Sequence, residues 1–212
     1  MSKLKFEPTS NQVGCFIYTD LKNVKKEQIN EIKNLLNKYG VLFFKNQSLN
    51  PEEYMNFSSN FGPPAKYPML KPHKDFKDIY VIERKKTDTG KSFGEGPHTD
   101  SSYLKNPPRY TFLQAIDVPE EGKGNTLFYN QFLAYEALQD NMKKKIENLK
   151  GVFSSQGKIA QTRELRMADH GTSGTKEIKS EHKLVQSING RKTIYCSPGH
   201  VVGIVNLSSE QE

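Results

Sequence analysis

Apolar residues recur at helical spacing in one early stretch and in short strand-like runs later. In VKKEQINEIKNLLNKYG, Ile29, Ile32, Leu35 and Leu36 share one face, the pattern of an amphipathic helix. Asn23 is a suitable cap before it, and Gly40 a suitable stop after its last turn. VLFFKN is a continuous apolar run and predicts a short buried strand. Asn50-Pro51 then opens a second helix, PEEYMNFSSNFG, with proline at its first position and two glutamates in its first turn. The proline-rich stretch GPPAKYPMLKP predicts a loop.

From Asp78 onward the pattern changes to short β-prone runs: DIYVIERK, YTFLQAIDV, NTLFYN, KLVQSI, KTIYCS and VVGIV. One helical insertion, FLAYEALQDNMKKKIENLK, interrupts them, with Leu133, Ala137, Leu138, Met142, Ile146 and Leu149 as its expected core stripe. Residues 154–181 are rich in Gly, Ser, Thr and Lys and carry no periodicity, as expected of a lid or mobile loop. Two N-terminal helices followed by many short strands predict a mainly β, α+β domain: an antiparallel barrel or jelly roll with helical decoration. A chain of 212 residues suits one such domain over 1–212.

Composition narrows the function classes. No apolar run approaches the roughly 18 residues of a membrane helix. The N-terminus MSKLKFEPTS lacks a signal-peptide core, so a cytoplasmic protein is expected. The net charge of +7 comes from 31 Lys and Arg against 24 Asp and Glu. These bases are dispersed and lack interleaved aromatics, which argues for solvated surface and against nucleic acid as a partner. Cys15 and Cys196 form no pair motif. A homo-oligomer stays open.

The candidate chemistry lies in GEGPHTDSSY, where His98 and Asp100 stand two apart. On extended backbone both would face the same side. An imidazole and a carboxylate so placed supply two corners of a 2-His-1-carboxylate iron site, or else an ordinary polar turn. The surroundings decide between these. Pro97-His98-Thr99-Asp100 is followed by Pro107-Pro108, by Gly124-Asn125-Thr126-Leu127 and by Ala134-Tyr135-Glu136-Ala137-Leu138. Later comes HKLVQSINGRKTIYCSPGH, and earlier YGVLFFKNQSLNPEEYMNFSSNFG. In that order these blocks resemble the taurine dioxygenase/TfdA-like family of Fe(II)- and 2-oxoglutarate-dependent oxygenases, over nearly the whole chain.

The resemblance implies a double-stranded β-helix (jelly-roll) core. It makes His98 and Asp100 iron ligands, Thr126 a holder of the 2-oxoglutarate end carboxylate, and His73 of Lys71-Pro72-His73 a substrate-side residue. It also implies O₂ as co-substrate and a small organic acid as substrate: a sulfonate, an aryloxy acid or another carboxylate. Asp100, where Ala or Gly would leave room for a halide, argues for hydroxylation. Two departures stand out. Pro97 replaces the family's usual Trp, and the distal His with its following Arg is not found. His73, His170, His182 and His200 are not followed by an Arg at the distal spacing, and His182 and His200 fall at expected strand edges. The expectation is therefore a fragment whose last strands and third ligand lie beyond Glu212. The alternatives are an inactive short form acting as a metal- or ligand-binding jelly roll, and a cupin-like metal protein.

Overall fold

The computed structural model describes residues 4–67, 70, 72–89, 91–160 and 176–207. Its contacts divide into two units: Met1–Pro64 with Phe112–Asn130, and Ala65–Thr111 with Gln131–Glu212. Among the described residues no helix is long and apolar enough to cross a membrane.

In the first unit β1 (Lys5–Pro8) runs antiparallel to β2 (Cys15–Tyr18), and β2 pairs in parallel with β3 (Leu42–Phe44). A tight turn suffices for the first pair, whereas a parallel pair needs a crossover. That crossover is a 3₁₀ turn at Leu21–Asn23 and the helix α1 (Lys26–Tyr39). Ile29, Ile32 and Leu35 of α1 are buried as the spacing predicts, against Cys15 and Ile17 of β2 in one core. Gly40 ends α1 at φ +80°, donating its N–H to the Leu36 carbonyl at 2.8 Å. Asn23 does not cap α1. Its amide donates to Asp20 Oδ2 at 2.7 Å, closing the 3₁₀ turn, while Gln28 accepts from the Lys25 N–H at 2.9 Å to start the helix. β3 is half-buried, not fully buried.

The helix α2 (Pro51–Ser59) begins as its sequence predicts. Asn50 Oδ1 accepts from Glu53 N at 2.9 Å, and Glu53 Oε2 accepts from Asn50 N at 2.8 Å. Its Phe57 sits edge-on to Phe44, Phe61 and Phe112. The 112–114 segment is tied to the same unit by Tyr54 O–H donating to the Phe112 carbonyl at 2.8 Å and Gln114 to the Leu49 carbonyl at 2.8 Å.

In the second unit β4 (Lys150–Ser154) is the middle of an antiparallel sheet, flanked by β5 (Lys179–Lys183) and β8 (Val201–Ile204). β6 (Val185–Ile188) and β7 (Arg191–Ile194) form a hairpin around Asn189-Gly190. Both turn residues have positive φ, +52° and +79°, which Asn and Gly tolerate best.

The second half departs from its expected pattern in two places. The helical insertion is two short helices, α3 (Gln131–Ala137) and α4 (Asp140–Ile146), broken where Gln139 takes an extended conformation. Tyr135 is its buried residue, while Leu133 and Met142 are exposed and α4 buries nothing. The stripe at Leu133, Ala137 and Met142 is thus not core in this structure. The runs DIYVIERK, YTFLQAIDV and NTLFYN form no named strand; Tyr80 makes a single bridge to Pro72. Their alternation favours extended backbone, but a strand also needs a partner to pair with. Leu113, Ile116, Val118 and Leu127 are exposed accordingly, at 66–84%.

Candidate metal-binding site

GEGPHTDSSY folds as a loop, not as the extended strand expected. Gly94 and Gly96 both take positive φ, +74° and +120°, values an L side chain rarely adopts. The resulting curl brings the Gly96 carbonyl back onto His98, whose Nδ1 donates to it at 2.8 Å. Asp100 begins a turn continued by Ser101 at φ +51°, closed by Leu104 N–H donating to the Ser101 carbonyl at 2.9 Å. His98 Nε2 then lies 3.2 Å from Asp100 Oδ1. Thr111 Oγ1 donates to the other carboxylate oxygen, Oδ2, at 2.8 Å.

This arrangement suits two neighbouring ligands of one cation. Nitrogen and oxygen ligands about 2.1 Å from a metal and at right angles lie about 3 Å apart. A carbonyl oxygen can only accept, so Gly96 fixes the proton on Nδ1 and directs the Nε2 lone pair toward Asp100. Thr111 likewise leaves Oδ1 as the inward oxygen. Both are hydrogen bonds of the kind that orients a metal ligand from outside the coordination sphere. Without a cation the two groups satisfy each other: the Asp100 carboxylate holds the His98 imidazole above its usual range, and His98 holds the Asp100 carboxyl below its own. A divalent cation would replace the shared proton. Asp100 remains partly open to solvent, with 48% of its side chain exposed, so the pair is reachable.

His200, which the sequence pattern assigns to a strand edge, is buried at 4% beside this pair. Its ring lies 6.4 Å from that of His98, nearly perpendicular at 85°. Nδ1 of His200 donates to the Ser154 carbonyl at 3.1 Å, and Tyr103 packs edge-on to the ring at 5.0 Å. Even so, no group of three His, Cys, Asp or Glu side chains among the described residues is arranged to hold a metal. The signal in the sequence was Ser197-Pro198-Gly199-His200, a turn whose glycine lets the backbone approach His98 closely.

His182 is on β5, where Nε2 donates to the Leu104 carbonyl at 3.0 Å; Ser180 also binds that carbonyl, at 3.1 Å. His73 is half-buried in the same unit, its Nδ1 accepting from Asp75 N at 3.2 Å and its ring 5.6 Å from Phe76. Thr126 belongs to the first unit and is exposed. Lys71, His170 and the middle of the expected lid, 161–175, lie outside the described residues. The two cysteines are free thiols; Cys15 is buried and Cys196 exposed.

The sequence model of the taurine catabolism dioxygenase TauD, TfdA family matches residues 5–212. The chain belongs to the TauD/TfdA family. A Schizosaccharomyces pombe protein provisionally named an alpha-ketoglutarate-dependent sulfonate dioxygenase is 28% identical over 207 residues, covering 92% of this chain and 51% of the relative. Pentalenolactone F synthase of Streptomyces arenae is 24% identical over 205 residues, covering 89% and 69%. Among solved structures, a taurine dioxygenase from Burkholderia xenovorans superposes with a TM-score of 0.74 at 22% identity, over 98% of this chain and 68% of that one. The mixed sheet-and-helix architecture is thus that of TauD/TfdA proteins, and the chain spans about half the length of the first of these relatives.

Proposed function

We propose that this TauD/TfdA chain is part of an Fe(II)- and 2-oxoglutarate-dependent dioxygenase that hydroxylates a small organic acid in the cytoplasm. The observation that carries the reading is the 3.2 Å separation of His98 Nε2 and Asp100 Oδ1, with each group oriented by its own outer hydrogen bond. His98 and Asp100 are assigned as two iron ligands. The bound iron with 2-oxoglutarate and O₂ supplies the oxidising chemistry. The chain's own residues position it: Gly96 holds the His98 tautomer and Thr111 turns the Asp100 carboxylate. Thr126 is assigned to the co-substrate's end carboxylate and His73 to the substrate side, both on the family pattern alone. Relatives named for sulfonates and for 2,4-dichlorophenoxyacetate make those acids the first substrate classes to try.

The third ligand, the carboxylate-binding Arg and the remaining strands of a single jelly-roll domain are assigned to the part of the relatives' length that this chain does not cover. A stop codon directly after the codon for Glu212 would contradict that assignment. The test of function is succinate formation from 2-oxoglutarate by the chain joined to its downstream coding sequence, across a panel of sulfonates, aryloxy acids and other carboxylates. Turnover abolished by Asp100→Ala is expected. Turnover indifferent to Asp100→Ala, or none with any acid, would overturn the reading.

A further inference from the structure

We propose that His200 is a positioning residue for His98, its ring acting as an aromatic edge that locks the metal-binding imidazole in place. The inference rests on the metal reading above, and adds to it a residue that this reading does not use.

Two features make His200 a fixed element. Its backbone and its ring are both bonded to Ser154 of β4: Ser154 N–H donates to the His200 carbonyl at 2.8 Å, while His200 Nδ1 donates to the Ser154 carbonyl. The turn before it is pressed against the metal motif. A Cβ at Gly199 would come within 2.8 Å of His98 Cβ and 3.0 Å of the Pro97 carbonyl. A Cβ at Gly157 would meet the Gly199 carbonyl at 2.5 Å and His200 Cα at 2.8 Å. Separations below 3.0 Å are ones that real Cβ atoms essentially never show, so glycine at both positions permits this approach. The sheet therefore carries the 199–200 backbone directly onto His98.

The contact itself is between rings. At 6.4 Å and 85°, His98 and His200 are in the edge-to-face range in which aromatic rings attract. The Gly96 carbonyl selects the Nδ1–H tautomer of His98 only while the ring stays against it, and one hydrogen bond alone does not keep the ring there. His200 blocks that swing from the side of β8, leaving Nε2 aimed at Asp100 Oδ1. A ligand role for His200 is disfavoured: two imidazoles on neighbouring positions of one metal would bring their centroids to about 5 Å.

The discriminating variants are His200→Phe and His200→Leu. Both fill the buried space and both lose the hydrogen bond to Ser154, so a purely structural effect would strike them alike. Only Phe retains a ring edge. Two readouts are needed on the chain as it stands. One is the imidazole 15N spectrum of His98 in metal-free protein, taken at a pH where the ring is neutral. The other is Mn(II) affinity from the loss of the free-ion EPR signal. In the wild type and His200→Phe, His98 is expected to show one Nδ1–H tautomer. In His200→Leu it is expected to average between tautomers, with Mn(II) affinity lowered about tenfold, as when an outer partner of a metal ligand is lost. Equal behaviour of Leu and Phe would overturn the proposal, whether both match the wild type or both lose binding. If the wild type binds no Mn(II), the metal reading fails, and the His98 tautomer still decides the role of His200.

Discussion

Thr111 shows how much of the candidate site depends on one side chain outside the ligand pair. Its hydroxyl is a donor to Asp100 Oδ2 at 2.8 Å, and Val would keep its shape while removing that donor. Thr111→Val is expected to weaken Mn(II) binding roughly tenfold with little change in urea midpoint. Unaltered affinity in an EPR titration would show that the carboxylate orients itself. Two tyrosines offer a separate check on burial. Burial pushes the Tyr54 and Tyr195 phenols up to about 12. An unfolded phenol titrates near 10, so each group contributes stability that is full below about pH 10 and lost as pH rises toward 12. The phenolate absorbance of the folded protein should therefore keep rising past about pH 11. Completion by about pH 11 would mean that both side chains are open to solvent.

Elements differ in how far local sequence determines them. The start of α2 is local: Asn50 and Glu53 satisfy each other's N–H groups, and Asn50→Ala is expected to cost about 1 kcal/mol in urea unfolding. That start and the end of α1 at Gly40 were both legible in the sequence, because each needs only neighbouring residues. The strands at 78–85, 110–118 and 125–130 were not decided by their alternation, since pairing is a property of a second segment. The break in the helical insertion was also hidden, because Leu138 and Gln139 are good helix formers. α3 and α4 are instead tied to β7 by charge: Arg191 to Glu136 at 2.7 Å and Lys192 to Glu147 at 2.6 Å. These pairs hold both glutamate carboxyls below their usual range. Their contribution is present above the ordinary Glu pKa and lost as pH falls through the lowered values. Because the pairs are exposed, Arg191→Ala is expected to lower the neutral-pH urea midpoint only slightly, with the difference from the wild type closing in acid. A large shift at neutral pH would contradict this.

At the scale of the whole molecule, the family was legible because its blocks recur in order along the chain, from the strand-helix unit at 39–62 to the segment at 182–200. The geometry of the site was only partly legible. His98 and Asp100 were singled out by their spacing and expected as iron ligands from the resemblance; in the structure they meet through a glycine-bent loop and not along a strand. His200 stands directly before β8, at a strand edge as expected, but its approach to His98 was not legible, because β4 and β8 carry it to a motif a hundred residues earlier, a contact no local pattern encodes. A cation that binds the folded protein alone should also stabilise it, by about 2.7 kcal/mol at a hundred times its dissociation constant. The most direct measurement is an anaerobic Mn(II) titration of the wild type, His98→Ala and Asp100→Ala, followed by the EPR signal of the free ion. One ion bound per wild-type chain and none at the same concentrations in either variant is the expected result. Equal binding by all three proteins would contradict the assignment of His98 and Asp100 as the metal ligands.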